Sequence, residues 1–530
     1  MALKNNTKKN LFVGFNIIIA LVGGFIIFYA TKWDVWAFSD SATYFSAARN
    51  LAAGEGFIIQ KTRGGVYLYR LFAPFYPILL SVVYSLIGNI FVAARLINII
   101  AFSAFLFGFG FLIFLQTKQL FISLLGPTFL VVSPPIIENF TGAMTEPIFF
   151  ATLIYSIIRS YFYVCKPSKK NLILYILTLS LLPFIRYAGI VFLFSNCLVL
   201  FFLINKNLLE KTKTILVITI TSSIPTLLWL FYLYLNSNQI GGRSIQPPQQ
   251  FFENIISGFK IVFDLIISWL PYFGIYEEII PSSLRLFFLI VFFLCLTIIS
   301  LVIIFQNKNK KPSVQNNLYF ITLINSICFL SFIPFSYSLT NRSYVIDHRI
   351  LSPLIPLFIA FTLLAIHYIT QSAKNFSKYF WPILTFFFVI IIRFYALKSY
   401  TILNERHING FGYTARHYQQ SNIRSAIKNL PPDRLIISNL SGYILLYENH
   451  LPIQYNNFQN RIFGSGSSDP EVIFRRKNAA LILFKPDFYN YYGEPGQDLY
   501  TSVTAGLDIF YEDDVSAIYF YPKQGNITQP

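Results

Sequence analysis

Charge is what this sequence has least of: 12% of its 530 residues are Asp, Glu, Lys or Arg, against 55% apolar and 18% aromatic residues. Soluble globular chains carry about 25% charged residues, and no soluble fold hides so much apolar surface. Cysteine is scarce as well. The four present, Cys165, Cys197, Cys295 and Cys328, lie in or beside apolar runs, which supports neither a disulfide framework nor a zinc site. The five histidines are scattered along the chain and give no metal-binding spacing. A Gly-rich nucleotide loop and a nucleophile elbow are missing too, and there is neither a low-complexity linker nor an internal repeat.

What the chain does have is long apolar windows. A hydrocarbon core of roughly 30 Å needs about 20 apolar helical residues. Windows of that kind fall near 11–31, 92–116, 119–135, 147–164, 171–185, 187–205, 214–235, 286–305, 318–337, 350–371 and 379–397. The fold class expected is therefore a polytopic all-α transmembrane protein of about eleven spans. The first window follows Lys4, Lys8 and Lys9 and lacks a small-residue cleavage site, as an uncleaved anchor with a cytoplasmic N-terminus does.

Basic residues then orient the remainder. Lys118, the group Lys166, Lys169 and Lys170, the pair Lys211 and Lys213, the run Lys308, Lys310 and Lys311, and Lys374 with Lys378 mark inner loops by the positive-inside rule. One more apolar stretch, about 72–91, would upset that parity as a full span, and is expected to be a short interfacial or re-entrant helix in the first outer loop. Of the eleven acidic residues before position 398, ten fall outside on this topology: Asp34, Asp40, Glu55, Glu138, Glu146, Glu253, Asp264, Glu277, Glu278 and Asp347. Avoidance of desolvation keeps acids in loops but does not choose a side. Their one-sidedness points to acid chemistry or cation binding outside. The formal net charge of +18 belongs to the membrane part, since the residues from Lys398 onward carry twelve basic and twelve acidic side chains. It reflects topology and lipid contact, and no nucleic-acid partner is implied.

The organisation expected is a membrane domain over 1–397, including a first outer loop at 32–91, followed by a small extracytoplasmic α/β domain over 398–530. In the latter, a helical pattern over Arg416–Asn429 stops at Pro431, Pro432 and Asp433, and β-like runs follow at Leu435–Ile437, Ala479–Phe484, Leu507–Tyr511 and Ala517–Tyr521. This domain is expected to cap, recognise or support rather than react.

The first outer loop carries the informative chemistry. It reads FSDSATYFSAARNLAAGEGF and continues through KTRGGVYLYRLFAPFYP. Ser39 before Asp40 as a cap, with Tyr44, Ala48 and Leu51 at helical spacing, predicts a helix on the membrane surface that Gly54 and Gly56 end. Such a helix holds one carboxylate at the bilayer edge, where a lipid-borne head group and a water-borne acceptor can meet.

In these residues the chain resembles the GT-C membrane glycosyltransferases that use polyprenyl-phosphate sugars, such as aminoarabinose transferases and protein O-mannosyltransferases. The resemblance rests on Asp40, Tyr44 and ARNLAAGEGF; on Arg70 before APFYP, with Arg95 and Asn98 opening the next span; and on SPPIIENFTGAMTEP in the second outer loop. RYAG at Arg186–Gly189 and DHRILSPLIP at Asp347–Pro356 add to it. It covers about residues 10–200 well and the remainder weakly. Two departures stand out: Ser41 follows Asp40 where many members carry a second acid, and Glu146 stands where Asp is usual.

The resemblance implies transfer of a sugar from a polyprenyl phosphate to an acceptor hydroxyl at the extracytoplasmic face, with inversion. The acceptor is a lipid, a glycan or a protein. Asp40 is the candidate general base, with Glu146 as second catalytic carboxylate. Lys61, Arg63, Tyr67, Arg70 and Arg349 are candidates to bind the substrate or its phosphate. No cofactor is required, although two outer carboxylates suit a divalent cation by oxygen ligation. The location expected is the plasma (inner) membrane. Plainer readings exist for each residue: Asp40 and Glu146 as helix caps, Arg70 and Arg349 as interfacial anchors, Lys61 and Arg63 as solvated loop charges, and Tyr67 in an aromatic belt. The rival from another class is a transporter or flippase of lipid-linked sugars. Transporters leave acids and helix breaks near the midplane, whereas here acids crowd the outer interface.

Overall fold

A computed structural model describes residues 2–62, 65–238, 251–269, 317–339, 346–372, 374–431, 434–450, 452–454, 479–493 and 496–522, together with isolated positions between 284 and 302 and Phe474. The chain forms two compact units, each discontinuous in sequence. One comprises Met1–Ala30, Arg70–Tyr76 and Arg95–Asn404, and the other Thr31–Tyr69, Pro77–Ala94 and Glu405–Pro530.

The first unit is helical. Among the described residues, six helices are long and apolar enough to cross a membrane: Thr7–Ala30, Ile90–Thr117, Glu146–Cys165, Leu208–Ser237, Asn317–Leu339 and His348–Gln371. The chain is thus a multi-pass membrane protein. A seventh span is added if the pair Leu120–Val131 and Pro134–Phe140, bent by 64°, counts as one. The bend has a local cause. Ser133 is extended at φ −78° and ψ 114°, and prolines open the following helix, where their missing N–H groups cost nothing but cannot continue the preceding turn.

Eleven spans are expected over the whole chain, against six or seven among the described residues. The windows at 171–185 and 187–205 become helices Lys169–Ile185 and Ile190–Leu203, of 17 and 14 residues, or about 26 and 21 Å at 1.5 Å per residue, short of the roughly 30 Å core. The window at 286–305 lies largely outside the described residues, and 379–397 falls within the 36-residue helix Lys374–Asn409. Phe75–Ile87, the stretch expected to be a short helix, has 13 residues and also falls short of a span.

Packing inside this unit uses aromatic rings and close helix approaches. Phe102, Phe105, Phe140 and Phe150 form one buried stack, with Phe140 4.5 Å from Phe102 and 5.6 Å from Phe150 between centroids. A Cβ at Gly110 would meet Asn16 Oδ1 at 2.3 Å, so only glycine lets this pair of helices close up while Asn16 Nδ2 donates to the Phe107 carbonyl at 2.8 Å. Polar side chains also tie helices together, Ser195 to Asn325 at 2.6 Å and Tyr175 to Asn196 at 2.5 Å. Such bonds hold spans that gain little from hydrophobicity once in lipid.

In the second unit, helix α1 (Ser39–Ala52) is followed by an antiparallel hairpin of β1 (Ile58–Thr62) and β2 (Gly65–Leu68). The C-terminal segment contributes a five-stranded sheet in the order β4-β3-β5-β7-β6. Here β3 is Ile436–Ser438, β4 Ile453–Gln454, β5 Ala480–Phe484, β6 Asp508–Glu512 and β7 Ser516–Phe520. β3 runs parallel to β4 and β5, and β7 runs antiparallel to β5 and β6. Every residue of β5 is buried, between one cluster around Ile423, Tyr443 and Phe484 and another around Phe488, Tyr500 and Tyr519. A continuous apolar run is what a strand covered on both faces requires. The chain after Ala30 is stitched to this body. Tyr413 N donates to the Ala37 carbonyl at 2.9 Å, and Thr414 Oγ1 to that of Val35 at 3.1 Å. Gly412, at φ +63°, permits this, because a Cβ there would sit 2.5 Å from the Ala37 oxygen.

One carboxylate in this unit is poorly solvated. Asp487 opens the helix Lys485–Tyr492 and accepts a hydrogen bond from the Tyr418 hydroxyl, and burial pushes its pKa up to about 6. A pKa raised in the folded state means that the native fold binds the proton more tightly, so the associated stability is full at low pH and is lost as pH rises through 6. Asp487→Asn should therefore raise the thermal midpoint at pH 7.5, with the gain vanishing as pH falls toward 4. Thermal unfolding across pH 4 to 8 in detergent checks this. A gain that is constant with pH would show that the carboxylate is already well solvated.

Candidate active site

The first unit gathers three of its charged residues at the head of one apolar helix. Glu146 is the first residue of the helix Glu146–Cys165, directly before Pro147, and is only 1% exposed. A carboxylate at a helix N-terminus gains from the dipole, but one so desolvated also needs charged partners. Arg186 and Arg349 supply them. Arg186 Nη1 forms an ion pair with Glu146 Oε1, and Arg349 Nε lies 3.5 Å from the same oxygen. Thr145 Oγ1 donates to Glu146 Oε2 at 3.2 Å and accepts from Arg186 Nη1 at 3.1 Å. Arg186 also lies 5.9 Å from the Phe149 ring centroid.

Each arginine is placed by a break in the helical pattern. Arg186 follows Ile185, the last residue of its helix, and is extended at φ −145° and ψ 133°. Asp347 caps the short helix His348–Leu351, its Oδ1 accepting from Ile350 N at 2.9 Å, and its Oδ2 lies 3.6 Å from Arg349 Nε. Arg349 is 31% exposed, Arg186 19% and Asp347 43%. The cluster is thus closed on the Glu146 side and open on the Asp347 side. Arg70 lies two residues before Phe72, whose carbonyl accepts from the Tyr187 hydroxyl at 3.2 Å, beside Arg186 in sequence. Tyr76 is fully buried and feels the charge of Glu146.

The second unit holds the remaining candidates. Asp40 is the second residue of α1, half-buried, and its charge reaches Tyr413, whose phenol burial pushes up to about 12, with Asp487 and Asp40 adding to the shift. Ser39 is not the cap expected: Phe38 occupies that position, and Ser41 Oγ accepts from the Phe38 N–H at 3.2 Å. Ser41, the residue directly after Asp40, is therefore used locally. Lys61 lies in β1 opposite Val66, and Tyr67 in β2 opposite Gln60, so this stretch is a hairpin and not the loop expected. Tyr67 is 53% exposed, and Arg63 lies outside the described residues.

Sequence reasoning singled out Glu146 and Arg349 separately but gave no reason to join them. It left Arg186 aside and did not consider Thr145 or Tyr76. The usable signal was RYAG, an arginine directly after a 17-residue helix. As for a divalent cation, Glu146 faces two guanidiniums, which repel one. Among the described residues no group of three or more His, Cys, Asp or Glu is placed to hold a metal ion.

Comparison with solved structures places this geometry. ArnT from Cupriavidus metallidurans bound to undecaprenyl phosphate superposes with a TM-score of 0.54 at 12% identity, over 96% of this chain and 98% of that one. The same protein in the apo state gives 0.54 at 11%, over 96% and 97%. The chain has a GT-C-like fold. The Archaeoglobus fulgidus oligosaccharyltransferase in its apo form also superposes with a TM-score of 0.54, at 10% identity, over 96% of this chain and 74% of its own. No family model and no curated protein matches the sequence. The GT-C-like architecture is thus carried by the arrangement of elements, with few identities.

Removing one partner of a buried ion pair costs about 3–5 kcal/mol, because the other charge stays behind. Arg186→Met should therefore lower the thermal midpoint of the detergent-solubilised protein more than Glu146→Gln, which keeps the shape and leaves only half-open guanidiniums without their partner. The reverse order in a thermal melt would contradict the burial assigned to Glu146.

Proposed function

We propose that the chain is a membrane glycosyltransferase that moves a sugar from a polyprenyl-phosphate donor to an acceptor hydroxyl at the extracytoplasmic face of the plasma membrane, with inversion at the anomeric carbon. The observation that carries the reading is the Glu146, Arg186 and Arg349 cluster at the head of a span, in a fold shared over 96% of the chain with a protein solved with undecaprenyl phosphate. A membrane phosphate lipid needs oriented cationic donors at the bilayer edge.

The chemistry requires few parts. The acceptor oxygen attacks the anomeric carbon, the bond from that carbon to the phosphate oxygen breaks, and polyprenyl phosphate leaves carrying the negative charge. Asp40 takes the proton of the attacking hydroxyl. Arg349 and Arg186 stabilise the departing phosphate, and Lys61, Arg63, Tyr67 and Arg70 assist in holding the donor. Glu146 keeps the two guanidinium forks oriented, being too buried to exchange partners. Asp347, more exposed and at 3.6 Å, is the partner that an arriving phosphate displaces. The N-terminus lies in the cytoplasm and the C-terminal α/β region outside. The sugar is a hexose or a pentose, and the acceptor a lipid, a glycan or a protein.

Transfer of radiolabelled sugar from a panel of polyprenyl-phosphate donors, in membranes carrying wild type or Asp40→Asn at equal insertion, tests the reading. A positioned base contributes about 10²–10⁴-fold, so the variant should lose at least about a hundredfold in turnover. Equal turnover would demote Asp40 to a helix-terminal charge, and a wild type that moves intact lipid-linked sugar across vesicles without transferring it would be a flippase.

A further inference from the structure

Helix α1 and the β1–β2 hairpin are held to the C-terminal segment by contacts centred on one residue. The helix Ser441–Glu448 ends at Asn449, which sits in the left-handed region at φ 51°, a conformation Asn tolerates better than most residues. From there its amide reaches α1, which packs against the same helix. Asn449 Nδ2 donates to Asn50 Oδ1 at 3.1 Å. Asn50 is 5% exposed, and its own Nδ2 donates to the carbonyls of Ile58 at 2.7 Å and Ile59 at 2.9 Å, so every hydrogen-bonding atom of that buried amide is engaged. Asn449 Oδ1 lies 2.7 Å from Ser46 Oγ, which is also 2.5 Å from the Ile59 carbonyl and has a single proton for the two. Arg49 Nη1 donates to the Leu446 carbonyl at 2.6 Å, and Gln60 Nε2 lies 3.4 Å from His450 Nδ1.

These contacts converge on the two pieces of the first loop that carry Asp40, Lys61 and Tyr67. We infer that Asn449 is a positioning residue, which locks the helix bearing Asp40 and the hairpin bearing the basic residues into one body with the C-terminal sheet. The C-terminal segment thereby holds the base in place from a distance, whatever it does toward the acceptor. The inference rests on the reading of Asp40 as base. Its physical basis is that a buried, fully paired amide has one arrangement that satisfies it and many that leave a polar atom stranded. A displacement of about 1 Å at a reacting group can cost a hundredfold in rate.

Asn449→Gly keeps the left-handed backbone accessible and removes only the side chain. Ser421→Ala is the matching control: its hydroxyl donates to Asp513 at 2.6 Å within the C-terminal segment, so it weakens the segment away from the Asn449 clamp. Amide hydrogen exchange over residues 39–62 and steady-state turnover are measured on the full-length protein in nanodiscs. Asn449→Gly should raise exchange over 39–62 at least tenfold, lower kcat about ten- to hundredfold and raise the donor KM, because the hairpin carries donor-holding residues. Ser421→Ala should lower the thermal midpoint and leave both readouts near wild type. Unchanged exchange in Asn449→Gly, or an equal loss in Ser421→Ala, would overturn the inference. If the wild type transfers no sugar, the proposed function fails, and the exchange measurement still decides whether Asn449 clamps the loop.

Discussion

A charged carboxylate at the head of an apolar helix, with almost none of its surface in water, persists only if opposite charge is brought to it. In this protein the carboxylate is Glu146 and the charge comes from Arg186 and Arg349. The three residues belong to stretches far apart in the chain, so their pairing fixes three helix ends at once. Desolvation makes that pairing obligatory. Both arginines sit near helix ends, Arg186 directly after one helix and Arg349 in the first turn of another, within reach of the head of a neighbouring helix. Orientation of the two forks follows as a by-product, and it is the property a phosphate site needs.

The second unit solves a different problem. A surface helix of 14 residues has little to hold it unless it is docked. α1 is docked by the residues around Asn449, while the preceding segment is sewn to 408–419 through Ala37, Val35 and Trp33, the last of which donates from Nε1 to the Ile408 carbonyl at 3.0 Å. The position of Asp40 thus depends on residues four hundred places later in the chain.

Legibility in the sequence followed the range of the interactions. α1 and its end at Gly54 and Gly56 are local, written in helical spacing and in glycines that adopt φ +76° and +86°, and they were predictable. Asp40, Glu146 and Arg349 were singled out from the sequence as separate charges, without a reason to join Glu146 to Arg349. The hairpin over 58–68 was taken for a loop because Lys61, Arg63 and two glycines outweigh its short apolar alternation. The eleven apolar windows and the six or seven span-length helices of the described residues differ where Pro134 or a short helix interrupts an apolar run, and where a window lies outside the described residues. The meeting of Arg186 with Glu146 and the grouping of 31–69 with the C-terminal segment were invisible, since both are tertiary. A boundary drawn along the chain near 398 has no way to express a unit assembled from separate stretches.

The central proposal is that the arginine cluster receives the phosphate of a polyprenyl lipid. Its most direct test is native mass spectrometry of the purified protein with undecaprenyl phosphate against undecaprenol, which has the same tail and no phosphate, for wild type and Arg349→Gln. The account predicts selective retention of the phosphate lipid by wild type and loss of that selectivity in the variant. Equal retention of both lipids, or selectivity unaffected by Arg349→Gln, would contradict it.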